Sequence, residues 1–248
     1  MKSSEIGKKA IIVGASSGIG LEVARLMAAD GWRLGLAARH TAPLQQLAGE
    51  FPGRVEWAAI DVTADGAEAR LRELIDRMGG MDLYLHVAGV GWQNLSLEPG
   101  KELLTVATNS MGFARMVGEA YRYFAGSGGG HIAVVSSIAG TKGLGVAPAY
   151  SATKAFDNVY IQALEQQALL RRLSIRFTDI RPGFVRTNLL NDGKSYPMLM
   201  DGRRVAADIV RAIAAGRHVC VIDWRWRILT ALWRRLPRWL WRRLPIKN

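Results

Sequence analysis

Cysteine is nearly missing from this sequence of 248 residues: the single one, Cys220, lies inside the apolar run His218 to Ile222. A lone thiol excludes an internal disulfide framework and fits a reducing compartment, with a buried strand position as its plain role. Proline is scarce as well, with 8 residues, and no unit of about 20–50 residues repeats, so Pro-rich and solenoid architectures are excluded. No window approaches about 18 uncharged apolar residues, and no spanning segment is expected. The polar start, Met1 to Lys9, lacks the apolar core of a signal peptide. A cytoplasmic location follows as the expectation. Acidic residues are missing from the last stretch, Trp224 to Asn248, which holds eight Arg/Lys; removing these from the net charge of +12 leaves +4 for the rest. Basicity confined to a tail argues against a nucleic-acid partner. No metal site is assigned.

What is present is a 49% hydrophobic chain with short β-like runs alternating with helical patterns. Strands are expected at Ala10 to Val13, Arg33 to Ala38, Val55 to Val62, Leu83 to Ala88, Ile132 to Ser136, Ile175 to Ile180 and His218 to Ile222. Helices are expected between them, including a long helix region from Glu102 to Phe124 and another from Tyr150 to Arg172. Seven strands separated by helices imply an α/β fold, a single doubly wound parallel sheet with helices on both faces, because each right-handed crossover lays its helix against the sheet. Residues 1–223 form this domain and 224–248 a basic, Trp-rich tail.

Directly after the first strand comes Gly14-Ala15-Ser16-Ser17-Gly18-Ile19-Gly20, followed by a helical pattern. Strand, glycine turn and helix in that order suit a pyrophosphate, which the free N–H groups and dipole of the helix start favour. A glycine turn that binds nothing is the alternative. At the end of the second strand, Ala37-Ala38-Arg39-His40 carries no acid to bond a ribose hydroxyl pair; Arg39 is placed for a 2′-phosphate, unless it is only a solvated surface arginine. This favours NADP(H) over NAD(H).

Further along stand Ser137, Tyr150 thirteen residues later, and Lys154 in Tyr150-Ser151-Ala152-Thr153-Lys154. Tyr and Lys at i and i+4 share one helix face, so the ammonium can sit below the phenol and favour its ionised form. A phenol so placed can give or take a proton at a carbonyl oxygen. Taken singly, each residue has a bland role: a helix face for Tyr150 and Lys154, a strand-end hydroxyl for Ser137, a helix-kinking side chain for Asn109.

Together with Asp61-Val62, Ala88-Gly89, Asn109 with Gly112, and Arg181-Pro182-Gly183, these motifs resemble the short-chain dehydrogenase/reductase family over roughly Lys8 to Asp223. The resemblance implies a Rossmann-type fold and an NADP-dependent enzyme acting on a CH–OH/C=O pair. It implies Tyr150 as acid–base residue, Lys154 supporting it and holding the nicotinamide ribose, Ser137 bonding the substrate oxygen, and Asn109 in a proton relay through water. It further assigns Asp61 to the adenine edge, Val62 as its backbone neighbour, Gly183 and Val185 beside the nicotinamide with Pro182, and Thr187 to the carboxamide or a phosphate. Where the family usually has Asn-Asn-Ala-Gly, this chain has His86-Val87-Ala88-Gly89. His86 reads as a core histidine or as a replacement donor.

Resemblance also places the substrate pocket among Trp92, Leu144, Val146, Phe184, Met198 and Leu199, with Asn188 to Arg204 as a mobile lid over a hydrophobic carbonyl or alcohol. Homo-oligomers are the family norm. The C-terminal departure puts the usual tetramer in doubt, and a dimer is favoured. In the tail, Leu229, Leu232, Trp233, Leu236 and Leu240 form an amphipathic stripe, five of the chain's eight tryptophans lie there, and Pro237 should end the helix. Such a segment fits an anionic membrane surface, giving a peripheral location, or packs on the protein's own core or a partner subunit. A non-catalytic NADP(H)-binding regulator is the rival for the whole chain.

Overall fold

The computed structural model describes residues 7–187 and 195–246. In chain order its elements are β1 (Lys9–Val13), α1 (Gly18–Ala29), β2 (Arg33–Ala38), α2 (Ala42–Glu50), β3 (Val55–Ala59), α3 (Ala67–Arg77), β4 (Leu83–His86) and α4 (Pro99–Val106). There follow a π-helical segment (Ala107–Gly112), α5 (Phe113–Gly126), β5 (Gly130–Val135), a 3-10 turn (Ile138–Thr141), α6 (Pro148–Leu170), β6 (Ile175–Arg181), α7 (Gly202–Ala214), β7 (Val219–Val221), α8 (Trp224–Arg235) and α9 (Arg238–Trp241). The strands pair in parallel in the order β3-β2-β1-β4-β5-β6-β7. The order reverses direction between β1 and β4, and the crevice outside the carboxyl ends of strands at such a point is where ligands bind in open α/β sheets.

The pleat explains the two-sided core. Ala10 and Ile12 of β1 face one cluster with Val23, Met27, Val205 and Ile209 of α1 and α7, while Ile11 and Val13 face another with Leu71, Leu74, Phe113 and Val117 of α3 and α5. Both faces are therefore covered, which is why the strands read as near-continuous apolar runs.

The long helix region expected from Glu102 to Phe124 is interrupted by the π-helical segment around Asn109. Two contacts favour the bulge. The Asn109 side chain accepts from Val90 N at 2.8 Å and donates to Val90 O at 2.7 Å. Gly112 packs so closely on Val62 that a Cβ there would sit 2.7 Å from its Cγ2. β3 ends at Ala59, short of the expected Val62, because the chain turns where Asp61 Oδ1 accepts from Thr63 N at 2.9 Å.

The tail is helical and does break at Pro237, but its inward stripe differs from the expected one. Trp226 is 1% exposed, Thr230 is buried, and Leu229 and Trp233 pack on the same core cluster as α1 and α7. Leu232 instead points outward. The inward face centres on Trp226, the deepest residue of α8, which turns Leu232 away from the core. Asp223 starts this helix by accepting from Arg225 N at 2.9 Å.

Candidate active site

A cleft opens at the β1/β4 switch point. It is lined by Gly14, Ser16, Ser17, Gly18 and Ile19 of the first turn, Arg39 and His40 after β2, Asp61 and Val62 after β3, Ala88 and Gly89 after β4, and Thr108 and Thr187. The turn is built to approach a ligand. Gly14 has φ +93, a left-handed conformation, and a Cβ on it would come within 2.4 Å of Ala88 N. Gly20 is off the cleft; it lets the first turn of α1 close against Gly14 O, where a Cβ would meet the oxygen at 2.2 Å. The N-cap Ser17 makes no side-chain capping bond, so the first N–H groups of α1 are left for an anion. Thr108 Oγ, buried beside the same cleft, has no hydrogen-bond partner among the described residues.

Arg39 is exposed at the cleft edge. Asp61 lies within its field. Burial alone would raise the Asp61 carboxyl, but hydrogen bonds from Thr63 and the Arg39 charge hold it below the ordinary carboxylate value. The residues present thus fit a phosphorylated dinucleotide: an uncapped helix start, a cradle that only glycine permits, and an arginine where the second strand ends.

The second cavity, of about 360 Å³, adjoins the first, sharing Ile19, Gly89, Gly91, Trp92 and Thr187. Ser137, Tyr150 and Lys154 all line it. Ser137 ends the loop after β5 and caps the 3-10 turn, its Oγ accepting from Ala139 N at 3.1 Å. Tyr150 and Lys154 project from the first turns of α6, which Pro148 begins. Gly91 lies flat on the phenol ring; a Cβ there would be 2.4 Å from Tyr150 Cδ2.

Lys154 is buried, its ammonium donating to Asp157 Oδ2 at 2.9 Å and Val135 O at 3.2 Å. Burial would push Lys154 down, yet the Asp157 carboxylate and the nearby Tyr150 and Asp179 hold it above the ordinary lysine value, and it stays charged. Asp157 is pushed up by burial, which outweighs the attraction of Lys154. A second pair, buried Asp179 with half-buried Arg181, neighbours it on β6, and Ser136 Oγ donates to Asp179.

Asn109 is 1% exposed and lines neither cavity, but a Cβ on Gly89 would lie 3.3 Å from its Oδ1 and 3.7 Å from Lys154 Nζ, so both side chains converge on that glycine. His86 is a core histidine, 1% exposed, with Nδ1 2.9 Å from Tyr84 Oη. Burial first, then the Lys154 charge, lower it to about 3.

Of the expected substrate residues, Trp92, Leu144, Val146 and Phe184 line the cavity, as do Pro182, Gly183 and Val185. Met198 does not. Its neighbour Met200 bridges to Val185, donating from N to Phe184 O at 2.9 Å, and this pins Met198 against the core. Of the expected lid, residues 188–194 lie outside the described residues. Tyr196, within the expected lid, lines the cavity too, and so do side chains that sequence reasoning missed, among them Gln93, Ile138, Trp233 and Ile246. The last two belong to the tail: Trp233 stood in an amphipathic stripe that suited a membrane, a partner or the protein's own core equally, and Ile246 carried no sequence signal.

The family model for short chain dehydrogenases matches residues 8–195. An uncharacterized oxidoreductase of Myxococcus xanthus is 32% identical over 237 residues, covering 93% of each chain. One from Mycobacterium tuberculosis is 33% identical over 248 residues, covering 95% of this chain and 96% of that one. The crystal structure of a short chain dehydrogenase from Burkholderia cenocepacia in complex with NADP has the same fold, with a TM-score of 0.83 at 20% identity over 98% of this chain and 99% of that chain. The motifs from Gly14 to Gly183, the sheet order and these matches agree: the chain belongs to the short-chain dehydrogenase/reductase family.

Proposed function

We propose that this protein is an NADP(H)-dependent oxidoreductase that interconverts a hydrophobic carbonyl compound and its alcohol. The observation that carries this reading is the junction of two cavities: a cleft with an uncapped helix start and Arg39, and an apolar chamber holding Ser137, Tyr150 and Lys154. When bound, the nicotinamide supplies or accepts hydride. Arg39 pairs with the 2′-phosphate, and the first turn of α1 takes the pyrophosphate. Ser137 donates a hydrogen bond to the substrate oxygen. Tyr150 Oη gives that oxygen a proton in reduction and removes it in oxidation. The charged Lys154 stabilises the phenolate, and Asn109 holds the relay by which the proton is replaced from solvent. An intact Ser137, Tyr150 and Lys154 set favours this over a non-catalytic nucleotide sensor. The direct test follows NADPH oxidation against a panel of apolar ketones. Turnover that needs Tyr150 supports the reading, and a protein that binds NADPH but reduces none of them removes it.

We also infer two associations. Leu103, Val106 and Met111 of α4 and the π segment and Phe156 and Val159 of α6 are exposed on adjoining elements, a surface suited to a second copy of the chain as a homodimer. The tail, taken as an appendage of residues 224–248 to the catalytic domain 1–223, has an outer face with Trp224, Ile228, Leu232 and Trp239 exposed beside Arg227, Arg234 and Arg238. That mixture fits an anionic bilayer surface, a peripheral attachment for a protein in which no described helix is long and apolar enough to cross a membrane. Sedimentation with anionic vesicles supports it, and indifference to them excludes it.

A further inference from the structure

We infer that the C-terminal segment is the outer wall of the substrate chamber, with Trp233 and Ile246 as the residues that select extended apolar substrates; the inference rests on the carbonyl-reduction reading above. The segment is held in place by three kinds of contact. Trp226 lies against Gly183, where a Cβ would come within 2.2 Å of the indole Nε1, and meets Phe184 edge to face at 5.6 Å. From it an aromatic ladder runs outward, Trp226 to Trp233 at 6.4 Å and Trp233 to Trp241 at 5.5 Å, both tilted well away from parallel. Two hydrogen bonds clasp the far end: Lys142 Nζ donates to Leu236 O at 2.8 Å, and Trp241 Nε1 donates to Gly143 O at 2.8 Å. Both join the tail to the loop that carries Leu144 and Val146.

This places Trp233 and Ile246 in the lining of the chamber that holds Tyr150. The groups assigned to hydrogen-bond the substrate oxygen, Ser137 and Tyr150, come from the β5 end and α6. The wall added by the tail, with Leu144 and Val146, is apolar. A volume of about 360 Å³ is at the small end of the range for ligand sites, roughly 300–1,000 Å³, so what the wall removes or admits decides which chains fit. The ligand chemistry that matches is a carbonyl with an apolar extension, a medium-chain or aryl ketone or aldehyde, whose extension leaves water on meeting the tail.

The test uses full-length protein and a series of n-alkan-2-ones from butanone to undecan-2-one. In the unaltered protein kcat/KM rises roughly three- to fourfold per methylene over the carbons that reach the wall. Trp233→Ala flattens that rise, Trp233→Phe restores most of it, and Ile246→Trp ends it at a shorter chain. The same alkanones are measured for displacement of the apolar fluorophore 1-aminoanthracene, a readout that needs no turnover. Ile246 touches no core cluster, so its variant tests the wall even if Trp233→Ala lowers stability. Identical chain-length dependence in Ile246→Trp and the unaltered protein, in binding and in turnover, overturns the inference. Chain-length-dependent binding that the variants alter, without reduction of any ketone, upholds the wall and removes the reaction assigned to the chamber.

Discussion

Lys154 and Asp157 form an ion pair one helical turn apart, with side chains 7% and 1% exposed, and the lysine lies within the electrostatic reach of Tyr150. A buried pair of this kind is held by mutual compensation: breaking it by removing one partner typically costs about 3–5 kcal/mol, whereas replacing both by apolar groups is often neutral. Asp157→Ala is therefore expected to lower the unfolding free energy by that amount in urea titrations. Lys154→Met with Asp157→Leu should recover most of the loss while remaining inactive. A cost below about 1 kcal/mol for Asp157→Ala would show that the lysine finds water in its place.

Tyr150→Phe removes one hydroxyl and little volume. NADPH binding, read by fluorescence titration, should stay within a few-fold of the unaltered protein while turnover of any ketone found by screening is abolished. Residual turnover within a few-fold would assign the proton transfer to another group.

Arg39→Asp places a carboxylate at the edge of the nucleotide cleft. Loss of one charge-assisted contact corresponds to roughly 10- to 150-fold in NADPH affinity. The ratio of kcat/KM for NADPH and NADH should move toward NADH, and an unchanged ratio would mean that Arg39 points to solvent in the complex.

Acid should destabilise the fold before it titrates most carboxylates. His86 and His131 are lowered to about 3 and about 4, both chiefly by burial, with the Lys154 charge adding to the first and the Arg176 charge to the second. Their folded values lie below the unfolded value near 6.5, so the unfolded chain takes up protons that the native state refuses. The stability they contribute is complete above about pH 6.5 and is lost as the pH falls toward 4 and then 3, with a slope approaching roughly 2.7 kcal/mol per pH unit where both differ. Thermal melts from pH 7 to 4.5 check this, and His131→Asn should shallow the slope. A melting temperature flat across that interval would contradict the burial of both rings.

Truncation after Asp223 removes Trp226, a core residue, and uncovers Phe184. Since loss of a buried tryptophan side chain costs about 3–5 kcal/mol, the shortened protein should melt well below the full chain and bind apolar fluorophores. Equal melting temperatures would mean that the tail docks only loosely.

The sheet was legible because each strand is an apolar run bounded by turn residues and followed by a helix with its own period. The glycine turn and the Tyr150-to-Lys154 spacing were equally local. What escaped was long-range. Asp157 stands one turn beyond Lys154 and reads as an ordinary polar helix residue until β5 and β6 are laid against α6. Trp233 and Ile246 are about 80 residues or more beyond Tyr150, and only the docking of Trp226 brings them to the chamber. A kink at Asn109 was open as a bland role for that residue, but the π segment and its cause were not, since the cause is the backbone of Val90 on another loop.

The contact of Trp226 with Gly183 also bears on how relatives should be compared. An alanine at position 183 would drive its methyl into the indole, so a chain that keeps this wall must keep both residues, while one that has lost the tail is free of this constraint at 183. The remaining attachments of the tail are addressed mostly to main-chain oxygens, those of Leu236 and Gly143, which any sequence supplies. The pair at 183 and 226 is thus the signature to seek in alignments, and the joint to preserve when the tail is grafted from one member of the family to another.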